Sequence, residues 1–250
     1  MNPKVSIIIP TLNNLENLRE CIDSIKKQIF TEYEVWVIDG KSSDKTVEFL
    51  ENLEAPFFWK SEEDNGIYDA MNKGISLAKG DWLYFLGADD ELFSENVLQT
   101  VFSKEKYKTI SLISGKVIYK KGNRPFIYSK KKNIKSPSWS FLMWIRNGLH
   151  HQGTFYKKEL FSKHKYNISY KILADYALNL QLYRKNEKCF LIEEIIAKCS
   201  TEGVSKKGGK KIYKEEVMLK SQNSYRILFP VFYLISGIKY GLKKRVDGKK

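Results

Sequence analysis

The sequence predicts an α/β fold: a mostly parallel central sheet flanked by helices, with a helical C-terminal extension. Three observations lead there. Apolar strand-like runs alternate with helix-period segments between residues 5 and 90, joined by short connections, which is the pattern of βαβ units. The polar residues of that region fall at the carboxyl ends of the strands, where open sheets of this kind hold ligands. A chain of 250 residues, 42% hydrophobic and 14% aromatic, is long enough for one large domain with a substantial core and is unlike a disordered chain.

Each element follows in order. Val5-Ser6-Ile7-Ile8-Ile9-Pro10 reads as a strand buried on both faces. Asn13 or Asn14 is placed to cap a helix carrying Leu15, Leu18, Cys21, Ile22 and Ile25. Residues 34–38 form the second strand, ending at Asp39-Gly40, and Ser43 or Asp44 caps the helix after it. Residues 57–59 are a short third strand, and Ile67 to Lys79 a helix stopped by Gly80 as its C′ residue. Residues 82–86 form the next strand, ending at Gly87-Ala88-Asp89-Asp90. Beyond residue 103 the pattern changes. Strands are expected at 109–119 and 153–156, a short helix at 139–145, and an amphipathic helix at 173–185 with Asp175 in its first turn. Residues 189–192 and 196–199 read as two strands around a turn at Glu193-Glu194, and 210–228 as helix. Residues 120–136 and 201–209 read as basic or glycine-rich loops. Pro230 argues against one straight helix through the apolar stretch 227–238.

Charge is distributed unevenly. The net charge is +14, yet residues 1–100 carry 9 basic and 19 acidic groups, residues 101–202 carry 21 and 7, and residues 203–250 carry 13 and 3. The first segment suits a cation and specific carboxylates, the rest a polyanion or anionic surface. Cys21, Cys189 and Cys199 have no paired or metal-ligand spacing, which excludes a disulfide scaffold or zinc ribbon and suits a reducing compartment. No signal peptide is visible, and no apolar stretch reaches the ~18 residues of a membrane-spanning helix.

Three stretches carry candidate chemistry. Asp89 and Asp90 close the fourth strand; carboxylates are hard ligands for Mg²⁺ or Mn²⁺, whose shell substrate phosphates complete. Alone, such a pair reads first as acids favouring a helix start; at the carboxyl end of the fourth strand of a βαβ series the metal reading overtakes it. Asp39, at the end of the second strand, is placed to accept hydrogen bonds from a base or ribose, whereas Ser43, Asp44 and Thr46 are explained by helix capping. In Asp64-Asn65-Gly66-Ile67-Tyr68-Asp69-Ala70-Met71-Asn72-Lys73-Gly74, the residues Asp69, Asn72 and Lys73 share a helix face. Ala70 and Gly74, four apart, would allow that helix to pack closely.

Together these stretches resemble family 2 glycosyltransferases of the GT-A (Rossmann-like) fold. The matching pieces are Ile7-Ile8-Ile9-Pro10-Thr11-Leu12-Asn13, Val37 to Thr46, Glu63 to Gly74, Ala78-Lys79-Gly80-Asp81 and Phe85 to Asp90. The Asp64-to-Gly74 piece looks most like the branch that builds bacterial O-antigen and capsule. His150 to Tyr156, Ala174-Asp175-Tyr176 and Glu202 to Ser205 keep the family's order more loosely.

The resemblance implies an inverting, divalent-metal-dependent hexosyltransferase that moves a sugar from a nucleotide-sugar, with UDP the expected nucleotide, to a lipid-linked saccharide. It implies a nucleotide-sugar-binding half at 1–103, an acceptor half at 104–205 and a basic extension at 206–250. Thr11, Asn13, Asp39, Asp64, Asp69, Asn72 and Asp89 would bind the donor. Asp90, with Asp89, would hold Mg²⁺ or Mn²⁺, Asp175 would be the general base, and His151 would sit beside the diphosphate or acceptor. Gly87-Ala88 stands where many relatives have Asn-Ser, and Asn65 where many have Lys. Without the resemblance, Asp175 reads as an acid at a helix start, and His150 and His151 as core or surface residues.

Two other functions are weighed. A sugar nucleotidyltransferase would show a glycine- and basic-rich loop after the first strand, and Pro10-Thr11-Leu12-Asn13-Asn14 is not one. A nucleic-acid-binding protein would interleave aromatics with its basic groups, which Lys130-Lys131-Lys132 does not; no nucleic-acid partner is expected. The apolar stretch 227–238 and the basic residues Lys239, Lys243, Lys244 and Arg245 suggest either peripheral attachment to the anionic inner face of the cell membrane or a helix packed on the core.

Overall fold

A computed structural model describes residues 3–103, 109–120, 133–201 and 209–247. The chain runs β1 (Val5–Thr11), α1 (Leu15–Lys26), β2 (Tyr33–Asp39), α2 (Thr46–Glu51), β3 (Phe57–Ser61), α3 (Ile67–Leu77), β4 (Trp82–Phe85), β5 (Glu91–Leu92) and α4 (Val97–Phe102). It continues through β6 (Leu112–Tyr119), β7 (Ile134–Lys135), β8 (Thr154–Lys157), α5 (Ala174–Arg184), β9 (Cys189–Cys199), α6 (Lys210–Gln222) and α7 (Phe229–Asp247).

The strands form one sheet in the order β3-β2-β1-β4-β8-β6-β9-β5, with β7 on β6. The expected α/β architecture is present. Its first four strands are all parallel, and β8 joins β4 and β6 by antiparallel ladders. The unbroken apolar run of β1 has a simple cause, since both faces are covered. Ile7 and Ile9 pack with α1 in one core cluster, while Ile8 packs with α3 and α5 in the other. Gly74 is required by that second packing. A Cβ there would lie 2.5 Å from the Ile8 side chain and 3.3 Å from Ile38.

The structure corrects five local expectations. Gly80 does not end α3 with a left-handed turn; Gly66 is the one glycine with positive φ among the described residues. Gly80 is needed instead because a Cβ would lie 2.6 Å from the backbone nitrogen of Ser6, whose hydroxyl accepts the Gly80 N–H and donates to the buried Glu34. Asn14 does not cap α1 through its side chain; Asn13, at φ 48°, reaches across to the β2 loop instead. Residues 189–199 are one strand, not two around a turn. β9 absorbs its extra residues as bulges opposite Gly115, whose Cβ would meet the Glu194 carbonyl at 2.7 Å. Helix α5 is buried on nearly every side rather than amphipathic. The helix from residue 210 stops at Gln222, and α7 begins at Phe229 with Pro230 in its first turn, where a missing N–H does no harm.

Helix α6 is no loose appendage. Leu219 is fully buried in the same core as Ile8, Leu180 and Tyr156. The expected domain boundary at 205 and the Glu202-to-Ser205 match lie outside the described residues, as do residues 121–132 and 202–208 of the two expected loops, 120–136 and 201–209; within the first of these, Ile134 and Lys135 pair with β6 as strand β7.

Candidate active site

Parallel pairing brings the polar strand ends into one row. Thr11 is in register with Asp39, and Asp39 with Ser61. Asp39 is fully buried. Its carboxylate accepts the Ser42 backbone N–H and hydroxyl and the Ser61 hydroxyl at 2.5–3.0 Å. Carboxylate oxygens offer about four acceptor positions, so capacity remains for a further donor. The Thr11 hydroxyl beside it is buried without a partner. Asn13 fixes the rim of this row, accepting the Ser43 N–H at 2.7 Å while its own N–H goes to Ser42.

The α3 loop closes over the same row. Asp64 accepts the Gly66 N–H at 2.8 Å, and its other oxygen lies 2.7 Å from the point a Gly40 Cβ would occupy. Asp69 accepts the Asn65 N–H at 2.9 Å. Asn72 has a different task from the donor contact that the resemblance implies. Both polar atoms of its amide bond the Tyr166 backbone, at 2.9 and 3.0 Å, so it clasps the second half of the chain.

At the end of β4, Asp89 is half-buried and Asp90 is 3% exposed. Asp89 Oδ1 and Asp90 Oδ2 converge over Gly87, 3.0 and 2.5 Å from where its Cβ would be. A side chain at position 87 would therefore displace these two carboxylates. Asp90 also accepts the Ser200 N–H at 2.8 Å and the Gln152 amide at 2.7 Å. Burial first, then the Asp89 charge, pushes the Asp90 carboxyl up to about 6 despite these bonds and the nearby His151.

Does this cluster fit a divalent ion? No set of three or more His, Cys, Asp or Glu side chains able to hold a metal occurs among the described residues. Two convergent carboxylate oxygens over a glycine cradle do occur. That is a fit for Mg²⁺ or Mn²⁺, which keep water and substrate phosphate as their other ligands, and a poor fit for a closed protein-only site.

Asp175 lies in the first turn of α5. Its carboxylate is met by Asn147 Nδ2 at 3.1 Å, His151 Nδ1 at 3.4 Å and the Tyr68 hydroxyl at 3.2 Å. Burial pushes the Asp175 carboxyl up; the His151 imidazole, the Tyr176 N–H and the Lys135 charge outweigh it and hold the group below the usual carboxylate range. Burial, then Asp175, pushes the Tyr68 hydroxyl well up, so it remains a donor.

The fold thus collects Thr11, Asn13, Asp39, Asp64 and Asp69 along one rim. Gln152, beside His151 in the chain, links Asp90 to the segment that also meets Asp175. Sequence reasoning assigned nothing to Ser42, Ser61, Gln152, Asn147 or Tyr68. Ser42 and Gln152 lie inside the matching motifs, whereas nothing in the pattern around Asn147 marks it.

Comparison with known proteins decides the family. The description "Glycosyl transferase family 2" matches residues 6–168. The chain belongs to glycosyltransferase family 2. It is 36% identical over 187 residues to a PGL/p-HBAD biosynthesis glycosyltransferase of Mycobacterium bovis, covering 72% of this chain and 70% of that protein. It is 27% identical over 264 residues to the Campylobacter jejuni GalNAc(5)-diNAcBac-PP-undecaprenol beta-1,3-glucosyltransferase, covering 97% of this chain and 84% of that one. Among solved structures, S. aureus TarS 1-349 in complex with UDP-GlcNAc superposes with TM-score 0.70 at 18% identity, over 88% of this chain and 66% of that one. The Mycobacterium tuberculosis glucosyl-3-phosphoglycerate synthase, solved with Mn²⁺, UDP and phosphoglyceric acid, gives TM-score 0.61 at 15% identity, over 88% and 78%. The family 2 chain is an enzyme of the glycosyltransferase class with the GT-A fold. Asp175 lies just beyond the matched segment.

Proposed function

We propose that this family 2 glycosyltransferase is an inverting, divalent-metal-dependent enzyme. It moves a sugar from a nucleotide-sugar, with UDP the expected nucleotide, to a hydroxyl of a lipid-linked saccharide. The observation that carries the reading is the convergence of Asp89 and Asp90 over Gly87, at the carboxyl edge of the parallel strands and beside the row formed by Thr11 and Asp39. The relatives and neighbours support it: one is named for a diphosphoundecaprenol-linked acceptor, one was solved with UDP-GlcNAc, and one with Mn²⁺ and UDP.

In this reading the buried Thr11 hydroxyl and the remaining acceptor capacity of Asp39 take the nucleoside, and Asp64 and Asp69 shape the pocket rim. Asp90 and Asp89 would hold Mg²⁺ or Mn²⁺, which neutralises the diphosphate as it leaves. Asp175 is a carboxylate at neutral pH, so it is free to take the acceptor hydroxyl's proton as that oxygen attacks the anomeric carbon. The carbon–oxygen bond to the diphosphate breaks as the new glycosidic bond forms, and a single displacement inverts the centre. His151 and Asn147 hold Asp175 from one side and Tyr68 from the other.

A surface-polysaccharide role, in O-antigen or capsule assembly at the inner face of the cell membrane, follows from the same acceptor class. No helix among the described residues is long and apolar enough to cross a membrane. Helix α7 instead exposes Phe229, Val231, Tyr233, Leu234 and Ile238, a surface suited to lie on an anionic leaflet. Lys239 does not join the basic cluster there, because it turns inward to Glu216.

The test is release of UDP from a panel of UDP-glucose, UDP-galactose, UDP-GlcNAc and UDP-GalNAc, with Mn²⁺ and an undecaprenyl-diphosphate saccharide. One donor consumed faster with the acceptor present supports the reading. Consumption of none of the four, with GDP- and dTDP-sugars equally inert, would contradict it.

A further inference from the structure

The loop that delivers Asp175 hangs from α6. Glu215 of that helix accepts three consecutive backbone N–H groups, from Lys171 at 2.9 Å, Ile172 at 3.0 Å and Leu173 at 3.1 Å. Leu173 is the residue before α5 and has no side chain able to cap it. A helix start exposes unpaired N–H groups and favours negative charge, and bonds to a carboxylate are roughly twice as strong as neutral ones. One carboxylate therefore fixes the three residues that lead into Ala174 and Asp175.

The partners of Glu215 are themselves fixed. On the loop side, the Tyr68 hydroxyl donates to the Ile172 carbonyl at 2.7 Å and the Lys171 amine to the Asn65 carbonyl at 3.0 Å. On the α6 side, Glu216 pairs with the fully buried Lys220 at 2.6 Å and with Lys239 of α7. Lys220 also donates to the Ile145 carbonyl at 3.0 Å. Ile145 stands two residues before Asn147, which donates to Asp175. Both walls around the carboxylate are thus held by neighbouring residues of α6.

Resting on the reading of Asp175 as the base, we propose that Glu215 is its positioning residue. It sets the backbone of residues 171–173 so that Asp175 meets His151 and Asn147, and it touches neither donor nor acceptor. It lies outside the segment that defines the family.

The test uses the full chain and its Glu215→Ala and Glu215→Gln variants, with UDP release from the UDP-sugar panel (water or saccharide as acceptor), UDP affinity by calorimetry, and amide hydrogen exchange. The expected result is a kcat at least tenfold lower in Glu215→Ala, Glu215→Gln intermediate, UDP affinity within twofold of wild type, and faster exchange at residues 171–173. A kcat within twofold of wild type overturns the proposal. So does a parallel fall in kcat and UDP affinity, the mark of general damage. A wild-type chain that turns over no donor contradicts the glycosyltransferase reading itself. Unchanged exchange in Glu215→Ala beside an active wild type overturns the anchor alone.

Discussion

The Gln152 side-chain amide donates to the Asp90 carboxylate at 2.7 Å, joining the two halves of the sheet at the paired acids. The bond does not compensate burial, which with Asp89 raises Asp90 from 3.8 to about 6. A folded-state value above the unfolded one means the charged form opposes folding. That penalty is absent below the ordinary carboxylate value, grows between it and about 6, and is complete above. In the metal-free protein Asp90→Asn, whose amide can reach the unpartnered Gln152 Oε1, should therefore add about 1–3 kcal/mol of stability at pH 8. The gain should vanish at pH 4. Urea unfolding at the two pH values measures it.

Gly87→Ala puts a methyl group where Asp89 Oδ1 and Asp90 Oδ2 converge. The fold should survive with the carboxylates displaced. Mn²⁺ affinity in the presence of UDP should fall about 10- to 100-fold, read by calorimetry.

Asp175→Asn removes the proposed proton acceptor but keeps its size. Transfer should slow by about 10²–10⁴-fold, with UDP affinity unchanged. The pH response of stability should change in the direction opposite to Asp90. A depressed folded value contributes stability that is present above the ordinary carboxylate range and lost as pH falls through the folded value. The variant should lack that acid-side loss in a melting series from pH 7 to pH 3.

Asn72→Ala leaves the Tyr166 N–H and carbonyl without their amide partner. It should cost about 1–3 kcal/mol of stability with little change in UDP affinity. A tenfold loss of UDP affinity with no loss of stability would return Asn72 to the donor site.

Leu234→Glu places a charge on the exposed face of α7. Binding to vesicles containing anionic lipid should drop while UDP affinity holds, as cosedimentation would show.

The first hundred residues were legible because each strand end is local. The run from Ile7 to Asn13 and the Asp39, Asp64 and Asp89–Asp90 motifs carry both their strands and their acids within a few residues. What escaped was whatever depends on distant pairing. The resemblance places Asn72 at the donor, yet Tyr166 takes both its polar atoms. Gly80 looks like a helix stop until Ser6 is seen against it. The bulges that keep β9 one strand arise only opposite Gly115, and Gln152, Asn147 and Glu215 gain meaning only once β8, α5 and α6 meet β4.

The most direct measurement is calorimetric titration of the purified protein with UDP, with and without Mn²⁺, beside Asp90→Ala. Mn²⁺ should strengthen UDP binding in the wild type and leave it unchanged in the variant. UDP binding indifferent to both metal and substitution, or no UDP binding under any condition, would contradict the proposed function.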